Sequence, residues 1–169
     1  MTFFERLVVE QIPRLRRYAR ALTGDWSFAD DLVQETLARA VSRRHLWIRR
    51  KSIRPWLFTI MHNLYVNEIE KRARTPATVA VDPDDTGAPA AERADAVRLM
   101  RDLDRSLAAL PEEQREVVLL VGLERLTYKE TARVLGIPIG TVMSRLSRGR
   151  ERLRGLMAGE DGRGLRRVK

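Results

Sequence analysis

Residues 127–154, TYKETARVLGIPIGTVMSRLSRGRERLR, place two helical patterns on either side of a Gly-containing turn, and this spacing constrains the fold more than any other stretch. Thr127 can cap the first helix, with Glu130 three residues on reaching back to close a capping box. Ala132 supplies a small residue where a second helix crosses closely, and Gly136 stands where the turn needs an unhindered backbone. Pro138 is tolerated because it falls at the start of the next helix. There Val142, Leu146 and Leu153 recur on the buried side, while Thr141, Ser144, Arg145 and Arg148 share the opposite face. This is the pattern of a helix-turn-helix. Its cationic face suits a major groove, where Arg bridges two guanine acceptors and hydroxyls reach base edges or phosphates. Helical hairpins with Arg on a solvated face also occur in proteins that never touch nucleic acid, so the rest of the chain must weigh in.

The charge distribution favours nucleic acid. Lys and Arg number 32 against 23 Asp and Glu, a net of +9 that calls for an acidic polymer or acidic surface as partner. Residues 43–74 hold nine Lys or Arg against Glu68 and Glu70, a local net of +7, and residues 141–169 reach +6. Between them, residues 75–96 carry five acids and one Arg. Two basic blocks therefore flank an acidic spacer. With no cysteine, disulfides and thiolate metal sites are excluded, and a cytoplasmic location is compatible. Only two histidines, His45 and His62, are present, which leaves hydrolytic triads and histidine-rich metal sites without parts, and neither a metal nor a cofactor is expected. The start, MTFFERLVVEQIPRLRR, lacks the apolar core of a signal peptide, and no apolar run approaches the ~20 residues that span a bilayer, so no membrane insertion is expected.

Apolar periodicity predicts an all-α chain. Residues 3–22 carry Phe4, Leu7, Val8, Leu15, Tyr18, Ala19 and Leu22, with a bend expected near Pro13. A helix over 27–45, opened by Ser27 and Asp30, is expected to bury Ala29, Leu32, Val33, Leu37 and Val41. A third starts at Pro55 and carries Trp56, Leu57, Ile60, Met61, Leu64, Tyr65 and Ile69. The stretch 75–95, rich in Ala, Pro and Asp, reads as a flexible linker. Helices over 95–110 and 112–123 precede the helix-turn-helix. The expected organisation is two small helical domains, 1–74 and 96–169, joined by that linker.

Three segments in this order, DDLVQETLARA (30–40), RPWLFTIMHNLYVNEIEKRAR (54–74) and LPEEQREVVLL (110–120) before the helix-turn-helix, resemble the bacterial RNA polymerase sigma factors of the extracytoplasmic-function group. The resemblance covers nearly the whole chain. RRYARALTG (16–24) followed by DDLVQETL is reminiscent of general-stress members. The resemblance implies a promoter-specificity subunit that binds core RNA polymerase and promoter DNA, is controlled by an anti-sigma factor in a stress or envelope response, and catalyses no reaction.

Its implied residue roles follow the chain. Asp31, Gln34, Glu35 and Arg39, by spacing a polar outer stripe, are implied to dock on the β′ clamp helices of polymerase, with the β subunit a further contact. A metal site from Asp30, Asp31 and Glu35 is disfavoured because adjacent carboxylates diverge on a helix. The basic stretch RRHLWIRRKSIR (43–54) suits single strands, since a ring stacks on an unpaired base while cations hold phosphates. Trp47, Arg49, Arg50, Asn63, Asn67, Arg72 and Arg74 are the implied −10 set, although Asn63 could instead satisfy a buried neighbour and Trp56 reads as core. This loop lacks the Gly and acidic residues common in the family, which leaves the base-capturing residue open. Lys129, Thr141, Ser144, Arg145 and Arg148 are the implied −35 set, Lys129 through phosphate; Arg150, Arg152 and Arg154 could simply solvate the helix end. A free-standing regulator with dimerising N-terminal helices would need neither the 30–40 stripe nor the basic loop. A nucleic-acid enzyme would need a phosphate loop, metal cluster or nucleophile that the sequence lacks.

Overall fold

The computed structural model describes residues 1–75 and 91–159, and its regular elements are helices. Helix α1 spans Phe3–Thr23, α2 Trp26–Ser42, α3 Ile53–Arg74, α4 Ala91–Ala109, α5 Glu112–Val118, α6 Tyr128–Leu135 and α7 Ile139–Met157. A short 3-10 turn, Arg44–Leu46, follows α2.

Local chemistry sets most of these boundaries. At α1, the Thr2 hydroxyl accepts from the Glu5 amide while the Glu5 carboxylate accepts from the Thr2 amide, and Gly24 ends the helix at φ 65°, where a side chain would be strained. The helix runs through Pro13. Pro13 has no N–H to give the Val9 carbonyl, and both residues lie on the exposed side of the helix. The expected opening of α2 at Ser27 is corrected: Asp25 is the cap, its Oδ1 accepting from the Phe28 amide at 3.0 Å. The inward face runs through Phe28, Ala29, Leu32, Val33, Thr36 and Ala40, and Val41, expected to be core, lies past its edge at 48% exposed because successive steps of four drift around the helix. At α6 the Thr127–Glu130 capping box is present, and Gly136 turns the chain at φ 64° into α7.

The helix expected over 112–123 holds its α geometry only to Val118. Leu119–Leu123 is wound as a π-helix, the Glu124 amide donates to the Leu119 carbonyl, and Arg125 takes a left-handed φ of 55°. Widening the turn rotates the next residue, and Glu124 ends fully buried.

The core is continuous across both halves. Leu15, Tyr18 and Leu22 of α1 and Leu57, Phe58 and Met61 of α3 join Val117, Leu120 and Val142 of the C-terminal half in one apolar cluster. The Tyr18 and Phe58 rings meet edge to face with centroids 5.0 Å apart. Helix α3 packs on α2 on one side and α6 on the other, which explains why its apolar residues do not keep to one stripe. Of the segment expected to be a linker, 76–90 lies outside the described residues, and helical backbone already begins at Ala91.

Candidate nucleic-acid interface

Helix α7 is seated by Val142 and Leu146, which are buried, and by Gly149, whose missing side chain lets α5 approach: a Cβ there would stand 2.7 Å from Val118 Cγ2. This fixes the outward side. Ser144 and Arg148 are exposed, with the Ser144 hydroxyl donating to the Thr141 carbonyl at 3.1 Å. Thr141 and Arg145 lie at the flank rather than on the open face. Both are half-buried, and the Arg145 guanidinium is 3.6 Å from Glu113 of α5, so the expectation that all four share one solvated face is corrected. Met143, 49% exposed, and Ser147 complete that face and were missed. Their signal was present, because 140, 143, 144 and 147 follow the same three-and-four spacing. Lys129 is exposed in the first turn of α6.

In the N-terminal half, Asn63 and Asn67 are exposed one turn apart on α3, which sets aside the reading of Asn63 as the partner of a buried group. Arg72 pairs with Glu68 at 3.1 Å and lies 3.8 Å over the Phe28 ring, so it is held along α2, whereas Arg74 is exposed at the helix end. The basic loop is folded back on α1. The Trp47 ring sits 5.7 Å from Phe4 and its indole N–H donates to the Lys51 carbonyl, while Arg49 lies 5.0 Å from the Phe3 ring centre. Trp47 is therefore half-buried, unlike the free stacking platform expected. Behind it opens a cleft of about 410 Å³ walled by Leu7, Gln11 and Arg14 from α1 and by Arg49, Arg50, Lys51 and Arg54. The Gln11 Oε1 atom is buried with no hydrogen-bond partner among the described residues. Arg50 is exposed beside it.

On α2, Asp31, Gln34 and Glu35 are exposed and Arg39 is tied to Glu35 at 2.9 Å, an outer stripe opposite Leu32, Val33 and Thr36. Among the described residues no group of His, Asp or Glu is arranged to hold a metal, and no helix is long and apolar enough to cross a membrane.

The join between the halves also carries polar contacts. His62 Nδ1 lies 2.7 Å from Glu116 Oε1, Arg17 donates twice to Glu124 at 3.0 and 3.2 Å, and Arg115 donates to the Leu22, Leu107, Ala108 and Leu110 carbonyls. Burial, then the nearby Glu116, pushes the Tyr18 phenol well above its usual range. Burial followed by Glu112 raises Tyr65 to about 12.

An all-helical body that presents an outward polar stripe, a cationic cleft and the hydroxyl-and-arginine face of a helix-turn-helix has the make-up of a DNA-binding transcription factor. Residues 8–62 match the family described as the Sigma2 domain of PhyR, and residues 100–153 match sigma-70, region 4. The chain is 33% identical over 153 residues to the ECF RNA polymerase sigma factor EcfG of Rhodopseudomonas palustris, an alignment covering 89% of this chain and 82% of that one. It is 30% identical over 144 residues to the ECF RNA polymerase sigma factor SigM of Bacillus subtilis, covering 83% and 86%. Its fold superposes with a TM-score of 0.75 on the sigma factor RpoE of Bartonella quintana, solved in complex with the anti-sigma factor NepR, at 30% identity over 95% and 98% of the two chains. The chain belongs to the extracytoplasmic-function (ECF) RNA polymerase sigma factors.

Proposed function

We propose that this sigma factor binds core RNA polymerase through the α2 stripe, places α7 on a −35 element and places α3 with the basic loop on a −10 element. Strand opening needs no reaction of its own, because capturing an unstacked base offsets the cost of opening an easily unstacked step. The chain acts as a non-catalytic subunit in the cytoplasm. The observation that carries this reading is the exposure of Ser144 and Arg148 on one half, and of Asn63 and Asn67 beside a cationic cleft on the other. The cations of the cleft suit the phosphates of a single strand. Domains 1–74 and 96–169 are the two reading units. Likeness to RpoE, solved with NepR, supports an anti-sigma factor as the controlling partner.

The test is reconstitution. Purified chain added to core polymerase is expected to give run-off transcription from promoters selected out of a random library, and none without it. A second reading has one observation behind it, the match of residues 8–62 to a domain of PhyR, a protein elsewhere solved as an anti-anti-sigma factor. A chain of that kind would bind an anti-sigma factor yet support no transcription with core polymerase.

A further inference from the structure

The carboxylate of Glu124 is fully buried, yet it belongs to the C-terminal half and its partners belong to α1. Arg17 donates to Oε1 through Nε and Nη2; Arg14 approaches Oε2 at 3.9 Å, too far for a hydrogen bond, and Oε2 has no hydrogen-bond partner among the described residues. The Tyr18 hydroxyl nearby is also buried without a partner. A buried carboxylate that is only partly satisfied makes a weak join, since desolvation is not fully repaid by pairing. The two arginines remain 43% and 50% exposed. Arg14 has a second neighbourhood, for it also walls the cationic cleft with Arg49, Arg50, Lys51 and Arg54. Arg17, three residues on, continues that row along the same helix.

This arrangement cannot persist on a promoter read at both elements. Their names set them about 25 base pairs apart, roughly 85 Å at 3.4 Å per step. A compact chain of this length has a radius of gyration of only about 15 Å. The halves must part, and parting strips Arg14 and Arg17 of Glu124.

We propose that Arg14 and Arg17 are DNA-phosphate contacts, and that Glu124 covers them while the two halves are packed together. Separation exchanges one carboxylate for the phosphates of the opened −10 strand, frees Arg14 within the wall of the cleft and lengthens its cationic track by Arg17. The inference rests on the N-terminal half binding opened promoter DNA. It adds α1, which the sequence presents as a core helix, to the DNA-binding surface.

The experiment measures binding of reconstituted holoenzyme to a fork-junction promoter DNA across a salt series. Arg14→Ala combined with Arg17→Ala is expected to lower the slope of log K against log salt by about 1.4 to 1.8, and replacement of both by Lys to retain most of it. In the free chain, Glu124→Gln is expected to raise affinity for a mixed-sequence single-stranded 20-mer about tenfold at low salt, by uncovering two cations. Circular dichroism checks that each variant keeps its helices. An unchanged slope in the Arg variant overturns the assignment of the contacts, and an unchanged affinity in Glu124→Gln overturns the covering role. If wild-type holoenzyme itself binds the fork without salt dependence, the reading of the N-terminal half as a DNA binder fails, and this inference with it.

Discussion

His62 of α3 and Glu116 of α5 meet at 2.7 Å across the join between the halves, each side chain at most 15% exposed. Neither residue is close to the other in sequence, and together with the Arg115 guanidinium they tie the N-terminal three helices to the C-terminal four. Removing His62 leaves a mostly buried carboxylate without its partner. His62→Ala is expected to cost about 1 to 3 kcal/mol in urea unfolding. The double variant with Glu116→Ala should cost less than the sum of the two single changes, and strict additivity would show that the pair does not couple.

Gly149 and Gly140 sit on the same helix with opposite prospects. Ala at 149 would drive a Cβ to 2.7 Å from Val118 Cγ2 and 3.3 Å from Gln114 Cβ, whereas nothing lies within 4 Å of a Cβ at 140. Gly149→Ala should therefore destabilise by about 1 to 3 kcal/mol through overpacking. Gly140→Ala should stabilise by about 0.5 to 1 kcal/mol by removing backbone freedom from the unfolded chain. Thermal melts of the two variants should shift in opposite directions.

Gln34→Ala with Glu35→Ala tests the α2 stripe. Both side chains are exposed, and the Glu35–Arg39 pair is a surface contact worth about 0.3 to 0.5 kcal/mol. The double variant should melt within a few degrees of the parent and fail to co-elute with core polymerase. Full co-elution would remove the stripe from the docking role.

Promoter reading separates Arg148 from Lys129. Arg148→Ala should weaken binding to the preferred −35 sequence by about 1 to 3 kcal/mol and flatten discrimination at one base pair. Lys129→Ala should weaken all sequences alike and lower the salt slope by about one unit. Arg145→Ala should alter preference only as far as its guanidinium can leave Glu113. A panel of single-base variants read at two salt concentrations distinguishes the three.

Alkaline unfolding should report the buried phenols. Tyr65 is held neutral up to about 12 by burial, against an ordinary value of 10.0, and Tyr18 shifts in the same direction. A group whose folded pKa is raised contributes stability that is complete below pH 10 and lost as pH climbs through 12. Stability should fall across that window, and Tyr65→Phe should make the decline shallower.

Much of this protein was decided locally. The Thr127–Glu130 box, Gly136 in the turn and the spacing of Val142 and Leu146 are relations between near neighbours, so the helix-turn-helix was legible from residue order alone. The exposure of Asn63, Asn67, Gln34 and Ser144 followed from the same periodicity, because residues three or four apart share a helix face. Where sequence reasoning went astray, a distant residue or a single step of phase intervened. The run Val33, Leu37, Val41 drifts off the inward face that Thr36 and Ala40 hold, and the contact of Glu113 with Arg145, 32 positions away, keeps a −35 candidate at the flank. Only the tertiary structure decided that Trp47 leans on Phe4, that a π-helix buries Glu124, and that Arg14 serves both a cleft and an ion pair. A helical pattern records which residues share a face, but not what that face meets, and desolvation of a charge depends on the element packed over it.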